Sequence, residues 1–447
     1  MIQVENITDT QPFSNMHTHK EWNMIRPQGM PLRQAFGDDE REAVMEVMDY
    51  YKTRSEDPPY GGKFEQEFAE AFEQMMGGGC ATPVATGTGA CYLALAALKT
   101  YYNIPDGAEV ILSPVTDSGP IAAIVALGMV PVVADADITG YNTNLEQITD
   151  CITDHTAAVF LVHAAGNAVK DVDQIAQACK NAGIYLVEDC SQAPFAMPRG
   201  LQPKYVGSFG DIAAFSTMYR KNLQTGGSGG IVYVPDNHSD ALFHHVLAHK
   251  DRGKPTWKKD INQNDPGNAL FPALNWNTDE ISCAIGQASL NRIEQTISDR
   301  QLFIHHLQKK LDKYSQVCSI DPQNHSGSSP FYLPIIVDTS LLHVSKIEFA
   351  EAVQAEGIGL LPHYGCLVSD WEWANEYINW QPTEKFSEGH VPWVMRTPNA
   401  RRFRDNSFNL FLNENYSEEE ATDIALAIAR VEERTMREEV STVEDGA

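Results

Sequence analysis

EVILSPVTDSGPIAAIVALGMVPVVADAD, residues 109–137, decides the fold. It opens on a short apolar run, EVILSPV (109–115), continues through GPIAAIVALG, whose apolar residues keep a helical period, and ends on a second run, VPVVADAD (130–137). Short apolar runs separated by a helix read as neighbouring parallel strands. The rhythm extends outward: AAVFLVHAA (157–165), IYLVEDCS (184–191), IAAFST (212–217) and GIVYV (230–234) are further strand candidates, and VDQIAQACKNAG is helical between two of them. The expectation is an α/β protein with a mostly parallel sheet and helices on both faces. Ligands of such sheets bind at the carboxyl ends of the strands. Thr116, Asp117, Asp135, Asp137, His163, Glu188 and Asp189 stand at those ends.

Residues 1–35 are weakly patterned and read as an irregular N-terminal arm. From Gly37, GDDEREAVMEVMDYY predicts a helix with an acidic start and Val44, Met45, Val47 and Met48 on a helical period. After the loop TRSEDPPYGG, a second helix carries Phe64, Phe68, Phe72 and Met75. Residues 36–270 are assigned to a large domain and 271–435 to a smaller α+β domain. An apolar stretch from Asp279 to Lys310 opens the latter, as one helix or two joined; residues 436–447 are expected to form a disordered acidic tail.

The balance of 33 Lys plus Arg against 60 Asp plus Glu leaves a net charge of −27, which argues against a nucleic-acid binder. A hydrophobic content of 43% rules out whole-chain disorder. No apolar run reaches the roughly 18 residues of a membrane helix, and the first 30 residues carry no apolar signal core, so the expected setting is the cytoplasm. The eight cysteines fall singly, with no CxxC pair to hold zinc. His245 and His249 are spaced like metal ligands, with His244 beside them, but lack the Glu of an HExxH site and read as a solvated helix face.

Three segments could carry chemistry. In VATGTGACYLALAAL (84–98), Gly87, Thr88 and Gly89 precede an apolar helix, an arrangement suited to a phosphate, although GTG also makes a good turn. In LVEDCSQ (186–192), consecutive carboxylates cannot both face one side of a strand, so one of Glu188 and Asp189 points into the cleft. That carboxylate either holds a proton on a ring nitrogen or caps a helix. In GSFGDIAAFSTMYRKNLQTGGSGGIVY (207–233), Lys221 sits between two apolar strands, followed by a glycine-dense TGGSGG. Lys221 there is either a Schiff-base lysine, with Ser216 available for a phosphate, or a surface charge next to Arg220.

Taken together, these motifs resemble the DegT/DnrJ/EryC1/StrS family of sugar aminotransferases that use pyridoxal 5'-phosphate. The resemblance spans about residues 35–310 through FEQEFAEAF, ATGTGA, GAEVILSPVTD, PVVADAD, TAAVFLVHAAG, VEDCSQA, GSFGDIAAFSTMYRKN, GGSGG and NWNTDEISCAIGQASLNRIEQ. It implies the aspartate-aminotransferase-like fold type I. It also implies that Lys221 carries the cofactor and shuttles a proton, and that Asp189 pairs with the pyridine nitrogen. Gln192 would lie near the phenolic oxygen, with Gly87, Thr88 and Ser216 at the phosphate. His163 would pack or hydrogen-bond near the ring without transferring a proton, or else be a satisfied structural histidine. Asn275 would reach the partner's phosphate, which implies a homodimer with shared active sites.

Three positions depart from the family pattern. Asp117 stands at or near the position of an aromatic that stacks on the ring, and one bland alternative is that it caps the helix beginning at Gly119. Asn275-Trp276-Asn277 lacks the arginine of the usual Asn-x-Arg, and Pro194 replaces a histidine. A branch of the family that dehydrates keto-deoxy sugars has histidine where this chain has Lys221. The lysine therefore points to amino transfer, from glutamate or glutamine to a keto sugar nucleotide or keto-cyclitol. A dehydratase or lyase, and a non-catalytic regulatory homologue, are the other readings.

Overall fold

A computed structural model describes residues 23–200, 204–235, 240–258, 260–263, 265–374 and 397–437. Residues 1–22 of the expected arm and 438–447 of the expected tail lie outside the described residues.

Two helices lead into the first sheet. α1 (Asp38–Lys52) begins at Gly37, whose amide donates to Glu40 Oε2 at 2.7 Å, and acidic side chains fill its first turn, where the helix dipole favours them. α2 (Lys63–Met76) buries Phe64, Phe68, Phe72 and Met76 as one stripe and ends at a left-handed Gly77. Then β1 (Cys80–Val84), α3 (Gly87–Tyr101), β2 (Glu109–Leu112), α4 (Ser118–Ala126), β3 (Val130–Val133), α5 (Leu145–Thr149), β4 (Thr156–Val162), α6 (Val172–Ala182), β5 (Tyr185–Asp189), β6 (Ile212–Ser216) and β7 (Gly230–Val234) build a seven-stranded sheet. Its order is β1-β7-β6-β5-β4-β2-β3; all neighbours are parallel except β7, antiparallel to both β1 and β6. The central strands are apolar on both faces because helices cover both, which is why they read as continuous hydrophobic runs.

The expected α/β architecture is present, with local differences. The runs 109–115 and 130–137 leave the sheet at Leu112 and Val133. The edge strand β1 has no apolar run of its own in the sequence. α7 (Asp240–Lys250) packs on α3, so the histidine trio is no solvated face. His245 Nδ1 and His249 Nε2 both meet Thr100 Oγ1, at 2.9 and 3.0 Å, and His244 stacks on Trp257. No helix among the described residues is long and apolar enough to cross a membrane.

The apolar stretch after Asp279 is two helices, α8 (Glu280–Asn291) and α9 (Ile293–Tyr314), parted at Arg292. α8 places Cys283, Ala284 and Leu290 in the core formed by Phe68 and Phe72. The first layer's core therefore runs past residue 270, and the change of packing falls at α9. Beyond it β8 (Cys318–Ile320), β9 (Tyr332–Val337), β10 (Leu360–Leu361) and β11 (Ser407–Phe411) form an antiparallel sheet in the order β10-β11-β9-β8. α9, α10 (Lys346–Ala355) and the C-terminal helix Glu418–Thr435 bury Phe303, Leu307, Phe349, Ile424 and Ile428 against it. The arm is not loose where it is described: Ile25 and Met30 pack on this second core, and Arg26 pairs with Glu420 and Asp423. Nor is the start of the expected tail, since Met436 bridges to Leu342 and the Arg437 amide donates to Leu341 at 2.9 Å.

Candidate active site

A cleft of about 500 Å³ opens where β2, β4, β5 and β6 end and α3 and α4 begin. Gly87, Thr88, Asp117, Asp189, Gln192, Ser216 and Lys221 all line it. At its floor Thr86 caps α3, its hydroxyl accepting from the Gly89 amide at 2.7 Å. The first-turn amides of Gly87 and Thr88 have no acceptor within the helix and meet the cleft with the positive end of the helix dipole. Residue 87 must be glycine, because a Cβ there would lie 2.5 Å from Ser216 Cβ. Ser216 ends β6 and brings its hydroxyl to the same spot.

Lys221 sits on the loop between β6 and β7. That loop folds back on itself: the Thr217 amide donates to Gly229 and the Tyr219 amide to Gly227, at 2.9 and 3.1 Å. Gly229 allows this because a side chain there would strike Thr217 and Thr225. The Lys221 ammonium lies 4.3 Å from the centre of the Phe331 ring. Burial pushes its pKa down, opposed by the charges of Asp189 and Asp117. The amine is thus held closer to its neutral, nucleophilic form than a solvent-exposed lysine.

Asp189 and Glu188 separate as strand alternation requires. Asp189 faces the cleft, its Oδ1 accepting from the Ser191 amide at 2.9 Å and its Oδ2 3.9 Å from Cys91 Sγ. Burial pushes its carboxyl pKa up, only partly offset by Ser191 and Lys221. Glu188 faces away, accepting from the amides of Gly207, Phe209 and Gly210 at 2.8, 2.7 and 2.6 Å. Burial alone would raise its pKa, but His163 and these amides hold it below the ordinary value.

His163 is a satisfied structural histidine and not a residue beside the ring position. Its neighbour Val162 lines the cleft, so the next side chain on the strand turns to the other face. There His163 Nδ1 accepts from the Val169 amide at 3.0 Å, which leaves the proton on Nε2 to donate to Glu188 Oε2 at 3.1 Å. The histidine buttresses β5 from behind and does not border the cleft. Asp135 and Asp137 are also elsewhere, because β3 is the edge strand. Asp135 accepts from the amides of Asn399 and Ala400, and Asp137 holds Lys170 and Thr139.

Asp117 borders the cleft and caps α4, Oδ1 accepting from the Gly119 amide at 3.2 Å. Gln192 Oε1 accepts from the Ala165 amide at 2.9 Å, while Nε2 donates to Tyr364 Oη at 3.4 Å. Asn275 does not enter the cleft of its own chain. It is exposed beside Tyr60, 3.5 Å from that hydroxyl, and accepts from the Asn277 amide. Sequence reasoning missed Cys91, Phe331, Tyr364 and Cys366 as lining residues. Tyr364 and Cys366 arrive because the loop before Leu367 runs along the β2–α4 connection, with the Thr116 amide donating to the Cys366 carbonyl at 2.9 Å. Nothing local in the sequence signals that pairing.

The donor set fits pyridoxal phosphate. Gly87, with no room for a Cβ beside Ser216, leaves backbone amides and hydroxyls free to cradle a phosphate, and the buried Asp189 faces the cleft as an acceptor for a ring N–H. The profile of the DegT/DnrJ/EryC1/StrS aminotransferase family matches residues 37–428. The chain belongs to that family. Among relatives of this aminotransferase, GDP-perosamine synthase of Escherichia coli O157:H7 is 31% identical over 62% of this chain and 70% of its own. L-glutamine:scyllo-inosose aminotransferase of Streptomyces griseus is 26% identical over 66% of this chain and 67% of its own. The aminotransferase from Psychrobacter cryohalolentis superposes with a TM-score of 0.75, covering 91% of this chain and 99% of its own at 24% identity, a likeness of fold.

Proposed function

We propose that this aminotransferase moves the amino group of glutamate or glutamine to the carbonyl of a keto sugar nucleotide or a keto-cyclitol. The observation that carries the reading is the convergence of Lys221, Asp189 and the α3 N-terminus on one cleft. The acceptor class is supported by the similarity to GDP-perosamine synthase and to the scyllo-inosose enzyme.

Bound pyridoxal phosphate supplies a carbonyl for amine capture and a ring that accepts the electron pair left when a neighbouring C–H loses its proton. The rest belongs to the chain. The amides of Gly87 and Thr88 and the Ser216 hydroxyl hold the phosphate. Asp189, facing the cleft, would accept from the ring N–H and so hold a proton on the ring nitrogen. Lys221 Nζ would hold the cofactor's carbonyl carbon and, as a buried amine of lowered pKa, would serve as the base that takes a proton from the donor's α-carbon and the acid that returns it. Gln192, fixed by the Ala165 amide and Tyr364, supports the ring's oxygen side. Arg220 is the one cation besides Lys221 among the described residues lining the cleft, and it is available to a donor carboxylate or an acceptor phosphate.

The enzyme is proposed to work as a cytoplasmic homodimer. Asn275 is exposed next to Tyr60 and its chain neighbour Leu274, which are 55% and 59% exposed, apolar surface beside the residue expected to cross to the partner. The function is tested in two stages. Addition of glutamate or glutamine to the cofactor-loaded protein should bleach the visible absorption band, and a keto sugar nucleotide or keto-cyclitol should restore it. A band that no amino acid changes would defeat the reading.

A further inference from the structure

The two flanks of Lys221 are tied to one chain of ion pairs. On one side, Arg33 Nη1 donates to the carbonyl of Tyr219, two residues before the lysine, at 3.2 Å. On the other, Asn222 Oδ1 accepts from Arg300 Nη1 at 2.5 Å, while Asn222 Nδ2 donates to Ser329 Oγ at 3.0 Å and to the Pro330 carbonyl at 3.3 Å. Glu414 joins the two arginines: its Oε1 accepts from Arg33 Nε and its Oε2 from Arg300 Nη2, both at 2.9 Å. Arg300 is 1% exposed, and breaking its pairing would strand a buried charge. The arm repeats the bridge without charge. The Pro31 and Leu32 carbonyls accept from Asn413 and Asn415, and the Ala35 carbonyl accepts from Gln224 Nε2 at 2.9 Å, in the lysine loop.

A glycine-dense loop is a poor platform for a group that must hold its place within a fraction of an ångström. Here the loop's own hydrogen bonds are supplemented from outside, by residues of the arm, of α9 and of the segment after β11. Pro330, held by both Asn222 and Arg300, precedes Phe331, whose ring lies against the lysine amine.

We propose that the N-terminal arm, through Arg33, Glu414 and Arg300, positions Lys221, so that residues 31–35 belong to the catalytic apparatus without touching substrate. This rests on Lys221 being the cofactor-bearing lysine. Arg33 and Asn222 are positioning residues on opposite flanks, and they do not touch each other.

The test compares Arg33→Met, Arg33→Lys, Asn222→Ala and the Arg33→Met/Asn222→Ala pair in the full chain. Three quantities are read: the rate at which pyridoxal phosphate becomes trapped on Lys221 by borohydride, the pH midpoint of the visible band, and the thermal midpoint. Arg33→Met should slow trapping by about tenfold and move the pH midpoint, with kcat falling in step and KM changing less than about twofold. Arg33→Lys should recover part of the loss through Glu414. The pair should lose less than the product of the single losses, because both act on the position of one amine. Trapping and pH midpoint unchanged in Arg33→Met, or losses that follow the folded fraction alone, would overturn the proposal. A wild type trapped on Lys221 that transfers no amine would defeat the aminotransferase reading and leave this one standing. Trapping on a different lysine would overturn both.

Discussion

Glu188 and Asp189 are consecutive, yet their carboxyl groups lie on opposite faces of the sheet: Asp189 borders the cleft, and Glu188 is bonded to His163 and three backbone amides behind it. The two should fail differently. Asp189→Asn should leave folding intact and slow amino transfer by a hundredfold or more, roughly the scale of a lost proton-holding group. Glu188→Gln should cost about 1–3 kcal/mol of stability by leaving buried donors short of a partner, with turnover per folded molecule close to wild type. Denaturant titration beside single-turnover kinetics separates them.

Gly87→Ala should weaken the phosphate cradle specifically, since the new methyl meets Ser216. Affinity for pyridoxal phosphate should drop by about tenfold or more, while the slower labelling of Lys221 by pyridoxal, which has no phosphate, should change little. Equal losses for both aldehydes would mean that the phosphate sits elsewhere.

Burial lowers the Lys221 pKa, and Asp189 and Asp117 oppose it, so labelling of the free enzyme should rise with pH through a midpoint below the ordinary 10.5. Asp117→Asn removes one opposing charge and keeps a good helix cap, so the midpoint should move lower still without loss of stability. A midpoint that rises or stays put would remove Asp117 from the lysine's surroundings.

Glu414 carries a pH signature of stability. Burial alone would raise its pKa, but Arg300 and Arg33 bring it from the ordinary 4.5 to about 2. Because the folded value lies below the unfolded one, the stabilisation is complete above the unfolded pKa and disappears as pH falls from about 4.5 toward 2. The difference corresponds to about 3 kcal/mol. Glu414→Gln should flatten that part of the stability profile; an unchanged acid limb would show that the pairing is not maintained in solution.

The sheet was legible because its strands are buried on both faces and so read as uninterrupted apolar runs, and because helix-period segments such as GPIAAIVALG separate them. Asp189, Gly87 and Ser216 were legible because each closes a strand or opens a helix within a short motif, and Lys221 because it precedes a glycine-dense stretch between two apolar strands. The two readings of His163 could not be separated by motif alone: it follows a strand end, and only the alternation shared with Val162 tells which face it takes. Tyr364 and Phe331 were missed because long-range packing of the second layer, not local pattern, carries them to the cleft. The Arg33–Glu414–Arg300 chain joins residues separated by hundreds of positions, beyond any periodicity.

The central claim is that nitrogen moves from an amino acid to a keto compound through this cleft. The most direct measurement supplies ¹⁵N-labelled glutamate, or glutamine labelled at its α-amine, with a keto sugar nucleotide or keto-cyclitol, and weighs the product. Incorporation of one ¹⁵N in place of the carbonyl oxygen, absent in Lys221→Ala, is the predicted result. A product that has lost water and gained no nitrogen would contradict the account and assign the chain to dehydration.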